Sequence, residues 1–237
     1  MSNNWFQFKQ FRIDQGQCAM KVTTDACIQG AWTPVAENAK YILDIGTGTG
    51  LLALMLAQRC ASAKIDAVEF DPSAARQAIE NVSISVWNDR IEIINKDIRN
   101  YESSEKYDLI VCNPPFFDNA LLGPRQEKNN ARHTVHLSKD DLAAAIVKLL
   151  SPEGKASILL PLPEYTTWLG VAATYELFVT EVLLVRHHPN AEYKRAIAMM
   201  SMKPTKNVQE HQLTIMDENN AYTEEFKAEM RPFYLTI

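Results

Sequence analysis

Hydrophobic positions along this chain follow two periods in turn, and the switch between them recurs. Short apolar runs at Lys40–Ile45, Lys64–Glu69, Ile91–Ile94, Leu109–Cys112 and Ala156–Leu160 read as buried strands. Helical stretches separate them. One covers Leu51–Arg59, and a second opens at Pro72, where proline suits the first turn, and runs to about Val86. A third, amphipathic one covers Leu137–Leu150 with Ser138 as its cap. Strict alternation of strand and helix predicts an α/β fold with a doubly wound, mostly parallel sheet. Near the end, Glu181–Val185 and Arg195–Met202 bracket His187-His188-Pro189-Asn190 like a hairpin, which makes the last strand antiparallel. Ahead of the alternating region, Trp5–Ile13 has the period of one strand, Asp14–Gln17 is a turn, and Cys18–Val22 returns as a second strand. Thr23-Thr24-Asp25 then caps a short helix through Trp32, and Pro34 closes the segment. The expected organisation is a single domain over 1–237. It has an amino-terminal extension at 1–33 (hairpin plus short helix), a core at 34–205 and a carboxyl-terminal extension at 206–237.

Composition narrows this picture. With 237 residues and 46% hydrophobic composition, the chain can bury one large core. No stretch approaches ~20 apolar residues, so no membrane span is expected. Met1-Ser2-Asn3-Asn4 lacks the layout of a signal peptide. Cys18, Cys27, Cys60 and Cys112 are scattered, with no Cys-x-x-Cys pair. They read as reduced, buried thiols of a cytoplasmic protein, not as disulfides or a zinc site. No His-x-x-x-His pair occurs, and no metal is expected; a monomer is the working expectation. The net charge of −5 argues against a general nucleic-acid binder, yet positive charge is grouped. Lys9, Arg12 and Lys21 form one group. Arg125, Lys128 and Arg132, with His133 and His136, form another. Arg186, Lys194, Arg195, Lys203 and Lys206 form a third. Three groups around one face would suit a phosphate backbone.

The chemistry sits at the ends of two strands. After Leu109–Cys112 comes Asn113-Pro114-Pro115-Phe116. An exocyclic amine is a poor nucleophile because its lone pair is delocalised into the ring. It improves when both N–H bonds point at acceptors, here the Asn113 side-chain oxygen and the Pro114 carbonyl. Two prolines hold those carbonyls at fixed φ, and Phe116 offers a flat face to a target base. The other strand runs into Asp44-Ile45-Gly46-Thr47-Gly48-Thr49-Gly50. A nicotinamide fingerprint needs glycine or alanine at the sixth position counted from Gly46, which is Leu51, so that reading fails. Gly-x-Gly-x-Gly after an aspartate is instead the form in which a carboxylate and loop backbone meet the amino-acid end of S-adenosylmethionine. Glu69, about 20 residues on, is placed to accept from both ribose hydroxyls. Asp97 is placed to accept from the cofactor's adenine amine, with Phe70 or Ile98 covering the ring; core packing explains those two apolar residues equally well. Together the two strand ends point to methyl transfer from S-adenosylmethionine to a planar nitrogen, by orientation and preorganised dipoles.

These residues resemble class I S-adenosylmethionine-dependent methyltransferases of the N6-adenine type, with a Rossmann-like sheet. More specifically, the chain is similar to the bacterial tRNA(Val) adenine-N6 methyltransferase family. Phe6-x-Phe8-Lys9-Gln10-Phe11, Cys18-Ala19-Met20-Lys21-Val22-x-Thr24-Asp25 and Gly30-Ala31-Trp32 carry the resemblance. So do Leu43 to Gln58, Tyr222-Thr223-Glu224 and Phe233-Tyr234-Leu235. It covers nearly the whole chain, most weakly over 160–215. It implies N6-methylation of the adenine immediately 3′ of the anticodon in a valine tRNA. Lys21 and Thr24, with Asn113, are expected at the cofactor, and from the grouped positive charge Lys9, Arg12, Lys21, Arg125, Lys128, Arg132 and Arg195 are expected on the RNA phosphates. The family often has tyrosine where this chain has Phe116, which keeps stacking and loses a hydroxyl. The tetrapeptide alone leaves open a guanine-N2 or protein glutamine acceptor, and a non-catalytic RNA-binding module is the alternative outside enzymes.

Overall fold

The computed structural model describes residues 3–18, 20–114 and 137–237. Pro115 and Phe116, with Arg125, Lys128 and Arg132, therefore lie outside the described residues. Ten strands are described: β1 Trp5–Gln7, β2 Arg12–Asp14, β3 Tyr41–Ile45, β4 Lys64–Glu69, β5 Ile91–Asn95, β6 Tyr107–Cys112, β7 Leu150–Pro161, β8 Phe178–Arg186, β9 Arg195–Ser201 and β10 Gln209–Thr214. The helices are α1 Thr24–Trp32, α2 Leu51–Arg59, α3 Pro72–Ser83, α4 Lys139–Leu149, α5 Leu162–Thr174 and α6 Glu224–Met230. A short 3-10 turn covers Ile98–Asn100.

Eight strands form one sheet in the order β10-β8-β9-β7-β6-β3-β4-β5. All neighbours are parallel except at β9, which runs against β7 and β8. The antiparallel strand is thus the one expected at the hairpin. A strand absent from the sequence reading, β10, follows it and pairs parallel with β8 at the sheet edge. Helices cover both faces. One face buries α1, α2 and α6 with Phe8, Phe11 and Ile13 of the amino-terminal hairpin, and the other buries α4 and α5 around Leu142, Ile146 and Trp168.

Local signals set most helix ends. Thr23 caps α1, accepting from the Ala26 N–H. Asp71 caps α3 by accepting from the N–H groups of Ser73 and Ala74, with Pro72 following. Ser138 and Asp141 form a capping box on α4. Helix α3 ends at Ser83, short of the expected Val86. There the Ser85 hydroxyl donates to the Val82 carbonyl and accepts from the Trp87 N–H, in competition with helix hydrogen bonds.

The amino-terminal extension differs from its expected layout. Trp5–Ile13 is not one strand. It folds back on itself as β1 and β2, around a turn closed by the Phe8 N–H to the Phe11 carbonyl and by the Gln7 side chain. Stacking of Phe8 on Phe11, with ring centres 4.4 Å apart, buries both rings and outweighs continued extension. Cys18–Val22 does not return as a strand, since the described part of it has no ladder partner. It is held by side chains instead: Gln77 accepts from the Gln17 N–H and Gln15 from the Val22 N–H.

Candidate active site

Strand register builds the site. Ile45 pairs with Val68 on one side and Cys112 on the other. Gly46, Glu69 and Asn113 therefore occupy the next row, side by side at the carboxyl ends of three adjacent strands. The chain steps from β3 to β4 to β5 in one direction, then returns to place β6 on the other side of β3. That is the switch point at which open α/β sheets bind ligands.

The glycine loop is shaped by backbone. Gly46, Gly48 and Gly50 have φ of 71°, 58° and 82°, the left-handed region that a side chain disfavours. A Cβ at Gly46 or Gly48 would meet no atom within 4 Å, so this backbone faces open space. The loop is tied to β4 by the Gly46 N–H to the Val68 carbonyl at 2.8 Å and by the Gly48 N–H to Glu69 Oε2 at 2.8 Å. Glu69 Oε1 accepts from the Asp71 N–H at 2.9 Å. Burial raises the Glu69 carboxyl above its ordinary range, against the lowering by these two N–H groups.

Asp44 is fully buried. Its Oδ2 accepts from the Thr47 hydroxyl at 2.6 Å and from the Ala53 N–H at 3.2 Å, while Oδ1 has no hydrogen-bond partner among the described residues. Burial pushes this carboxyl up to about 7, opposed by the Thr47 and Ala53 hydrogen bonds and reinforced by nearby Glu69. A buried carboxylate oxygen without a partner, below a loop with open backbone, fits a cationic ligand group. The residues thus suit the amino-acid end of S-adenosylmethionine.

The remaining candidates divide. Phe70 is 49% exposed and free to cover a ring, whereas Ile98 is buried in the core. Asp97 caps the 3-10 turn and is paired with Arg99, whose side-chain hydrogen bonds hold the carboxyl below its usual range. Asn113 is half-buried and Pro114 buried. Lys21 and Thr24 are exposed, with the Lys21 ammonium 3.3 Å from the Asn3 carbonyl. Lys9 donates to the Arg231 carbonyl, and the neighbouring Pro232 carbonyl accepts from Gln58 in the last turn of α2, at the other end of that helix from the glycine loop. Arg12 pairs with Asp14 at 2.6 Å and lies over the Trp5 ring. Arg195 pairs with Asp25 of α1 at 2.9 Å. The third basic group is split by the sheet: Arg186, Lys194 and Arg195 stand at the carboxyl edge. Lys203 follows β9 at the opposite edge, where it pairs with Glu153.

Two site residues have no signal in the sequence. Gln29, fully buried on α1, donates its amide to the carbonyls of Cys112 at 3.0 Å and Ser157 at 3.1 Å. It braces the chain directly before Asn113. Asn81 of α3 donates to the carbonyls of Asp14 and Thr49, tying the amino-terminal hairpin to the glycine loop. All four cysteines are free. Cys27, Cys60 and Cys112 are buried, but Cys18 is only half-buried, and its thiol is pushed up to about 11 by burial and then by Glu69 and Asp71. Among the described residues, no cluster of His, Cys, Asp or Glu is placed to hold a metal ion. No helix among them is long and apolar enough to cross a membrane.

Comparison with known proteins gives relatives in sequence and in fold. The methyltransferase small domain family matches residues 30–144. A tRNA1(Val) (adenine(37)-N6)-methyltransferase of Bacteroides fragilis is 43% identical over 240 residues, covering 100% of both chains. An enzyme of the same name from Trichodesmium erythraeum is 45% identical over 239 residues and 99% of each chain. In fold, a predicted O-methyltransferase from Agrobacterium tumefaciens superposes with a TM-score of 0.70 at 15% identity, over 88% of this chain and 96% of that one.

Proposed function

The chain belongs to the tRNA1(Val) (adenine(37)-N6)-methyltransferase family, and from that premise we infer that it transfers a methyl group from S-adenosylmethionine to N6 of adenine 37 in tRNA1(Val). The observation that supports this reading is the row of Gly46, Glu69 and Asn113 at the switch point, with the glycine loop directly beside Asn113.

When bound, S-adenosylmethionine supplies an electrophilic methyl group on a sulfonium. Asp44 Oδ1 and the open loop backbone would hold its amino-acid end, Glu69 its ribose hydroxyls, and Phe70 with Asp97 its adenine. Asn113 would accept one N–H of the target amine and the Pro114 carbonyl the other, moving the nitrogen lone pair out of conjugation. Phe116 would stack on the base. No group need remove a proton before attack, so these residues act by orientation and by dipoles set in advance. Lys21 and Thr24 would close the cofactor site from the amino-terminal side. Lys9, Arg12, Lys21, Arg125, Lys128, Arg132 and Arg195 are the candidate phosphate contacts. Of these, Arg195 lies at the carboxyl edge of the sheet, and Lys9 and Arg12 already hold other partners. The whole chain would act as one domain, monomeric and cytoplasmic.

Nucleoside mass spectrometry of valine tRNA, after incubation with the protein and S-adenosylmethionine, tests the reading. N6-methyladenosine is the expected product. N2-methylguanosine, or no methylated nucleoside, would overturn it.

A further inference from the structure

A cavity of about 420 Å³ opens where the ends of β8, β9 and β10 meet the start of α1. Arg186, His187, Lys194, Arg195, Asp25 and Tyr222 are among its lining residues. Three permanent cations thus face one carboxylate, on a chain whose net charge is −5. The cations are held in graded ways. Arg195 is fixed by Asp25 at 2.9 Å. Arg186 is fixed by the Thr214 hydroxyl at 2.8 Å and lies 5.1 Å from the centre of the Tyr193 ring. Lys194 is exposed and makes no ion pair among the described residues. Tyr222 is 36% exposed, with its ring backed by Phe226 at 4.7 Å between centres.

Position gives this cavity its meaning. β8 runs parallel to β6, and β9 begins at the carboxyl end of β7, so the cavity shares an edge of the sheet with Asn113. At about 4.8 Å per strand, Arg195 on β9 is roughly 10 Å from β6, and Arg186 on β8 roughly 14 Å. That is too far for the transferred methyl and near enough for a nucleotide beside the target. Helix α1 links the two places, since Asp25 anchors Arg195 and Gln29 braces the Cys112 carbonyl.

We propose that this cavity is a nucleotide subsite for the RNA substrate, in which Arg186, Lys194 and Arg195 take a phosphodiester and the Tyr222 ring stacks on a base flanking the methylated adenine. The proposal rests on the family reading and adds to it a place where the RNA is gripped outside the catalytic turn. Cationic side chains confer affinity without sequence choice, and an aromatic face adds stacking that tolerates any base.

Binding of a valine tRNA transcript to the full chain, measured by fluorescence anisotropy over a series of salt concentrations, provides the test. Lys194→Gln is expected to lower the slope of log affinity against log salt by about 0.7–0.9 unit. Tyr222→Ala is expected to weaken binding roughly 5- to 150-fold, with Tyr222→Phe restoring it. Both changes should raise KM for tRNA more than they lower kcat, and leave S-adenosylmethionine affinity at the wild-type value. Wild-type slope and affinity in Lys194→Gln and Tyr222→Ala, in a protein that still methylates tRNA, would overturn the subsite and spare the family reading. Failure of the wild-type protein to methylate tRNA would overturn the family reading itself. Adenosine monophosphate serves as a control: binding that depends on Lys194, with tRNA affinity unmoved by the variants, would assign the cavity to a free nucleotide and overturn the RNA proposal.

Discussion

The two halves of the sheet solve different problems. On the side of β3, β4 and β5, the groups around the glycine loop are backbone amides, the buried Asp44 carboxyl and the half-buried Glu69 carboxyl, tied together by short hydrogen bonds. On the side of β6 to β10, the edge is made by elements distant in sequence, joined by α1 and by the antiparallel strand β9. The first half suits a small ligand of constant shape, which repays a rigid cradle. The second suits a large polyanion, which repays spread cations and an open edge. Acidic groups on one half of the sheet edge and basic groups on the other are what the proposed separation of cofactor from substrate requires.

The largest way to break this division is Asn113→Ala. Loss of one preorganised acceptor should slow single-turnover methyl transfer by about 10²- to 10³-fold, while S-adenosylmethionine affinity stays within about twofold of wild type. Stopped assays with saturating tRNA measure it, and a wild-type rate would remove Asn113 from the chemistry.

Asp44→Asn attacks the other half. Its neutral amide removes a charged acceptor, so cofactor affinity by calorimetry should fall roughly 10- to 150-fold, the equivalent of about 1.5–3 kcal/mol. The Asp44 carboxyl lies near 7 in the cofactor-free protein, against about 3.9 when unfolded. Between those values the folded chain holds a proton that the unfolded chain has released. This group's contribution to stability therefore declines as pH rises through that window. Asp44→Asn should abolish the decline and raise the melting temperature of the cofactor-free protein at pH 8. Binding runs the opposite way, because the cation needs the ionised carboxylate. Wild-type affinity should rise about tenfold from pH 6 to pH 8, and the asparagine variant should show no such rise.

Glu69→Gln sharpens the comparison, since it keeps the side-chain shape and removes the charge. Cofactor affinity should drop about tenfold and tRNA affinity should be unchanged. A change in RNA binding alone would place Glu69 on the wrong side of the division.

The last effect, expected in stability and not in turnover or affinity, concerns the joint between the halves. Gln29→Leu leaves the buried carbonyls of Cys112 and Ser157 without their shared donor, at about 1–3 kcal/mol. For a chain of this length that is roughly 2–4 °C of melting temperature per kcal/mol, read by calorimetry. An unchanged melting temperature would show that the brace is dispensable.

The amino-acid sequence by itself determined the parts whose physics is local. Glycines at left-handed φ, an aspartate before them, proline and serine at helix starts, and apolar runs long enough for a strand each act within a few residues. The central strands and the glycine loop were legible for that reason. What only the tertiary structure decided depends on partners far away in sequence. Trp5–Ile13 has the period of one strand but doubles back, because Phe8 and Phe11 gain more by stacking and burial than by extension. β10 was illegible because Gln209-Glu210-His211-Gln212 lies exposed at an edge, where backbone pairing with β8 suffices and no apolar alternation is required. α5 was missed because it starts with no connection after β7, at Pro161 and Pro163, which read locally as a loop. Gln29 resembles any polar residue of a helix until folding sets its amide beside two strand carbonyls 83 and 128 residues away. The cavity around Lys194 is mixed: a local hairpin brings Arg186 and Arg195 together, and only long-range pairing adds Asp25 to that edge.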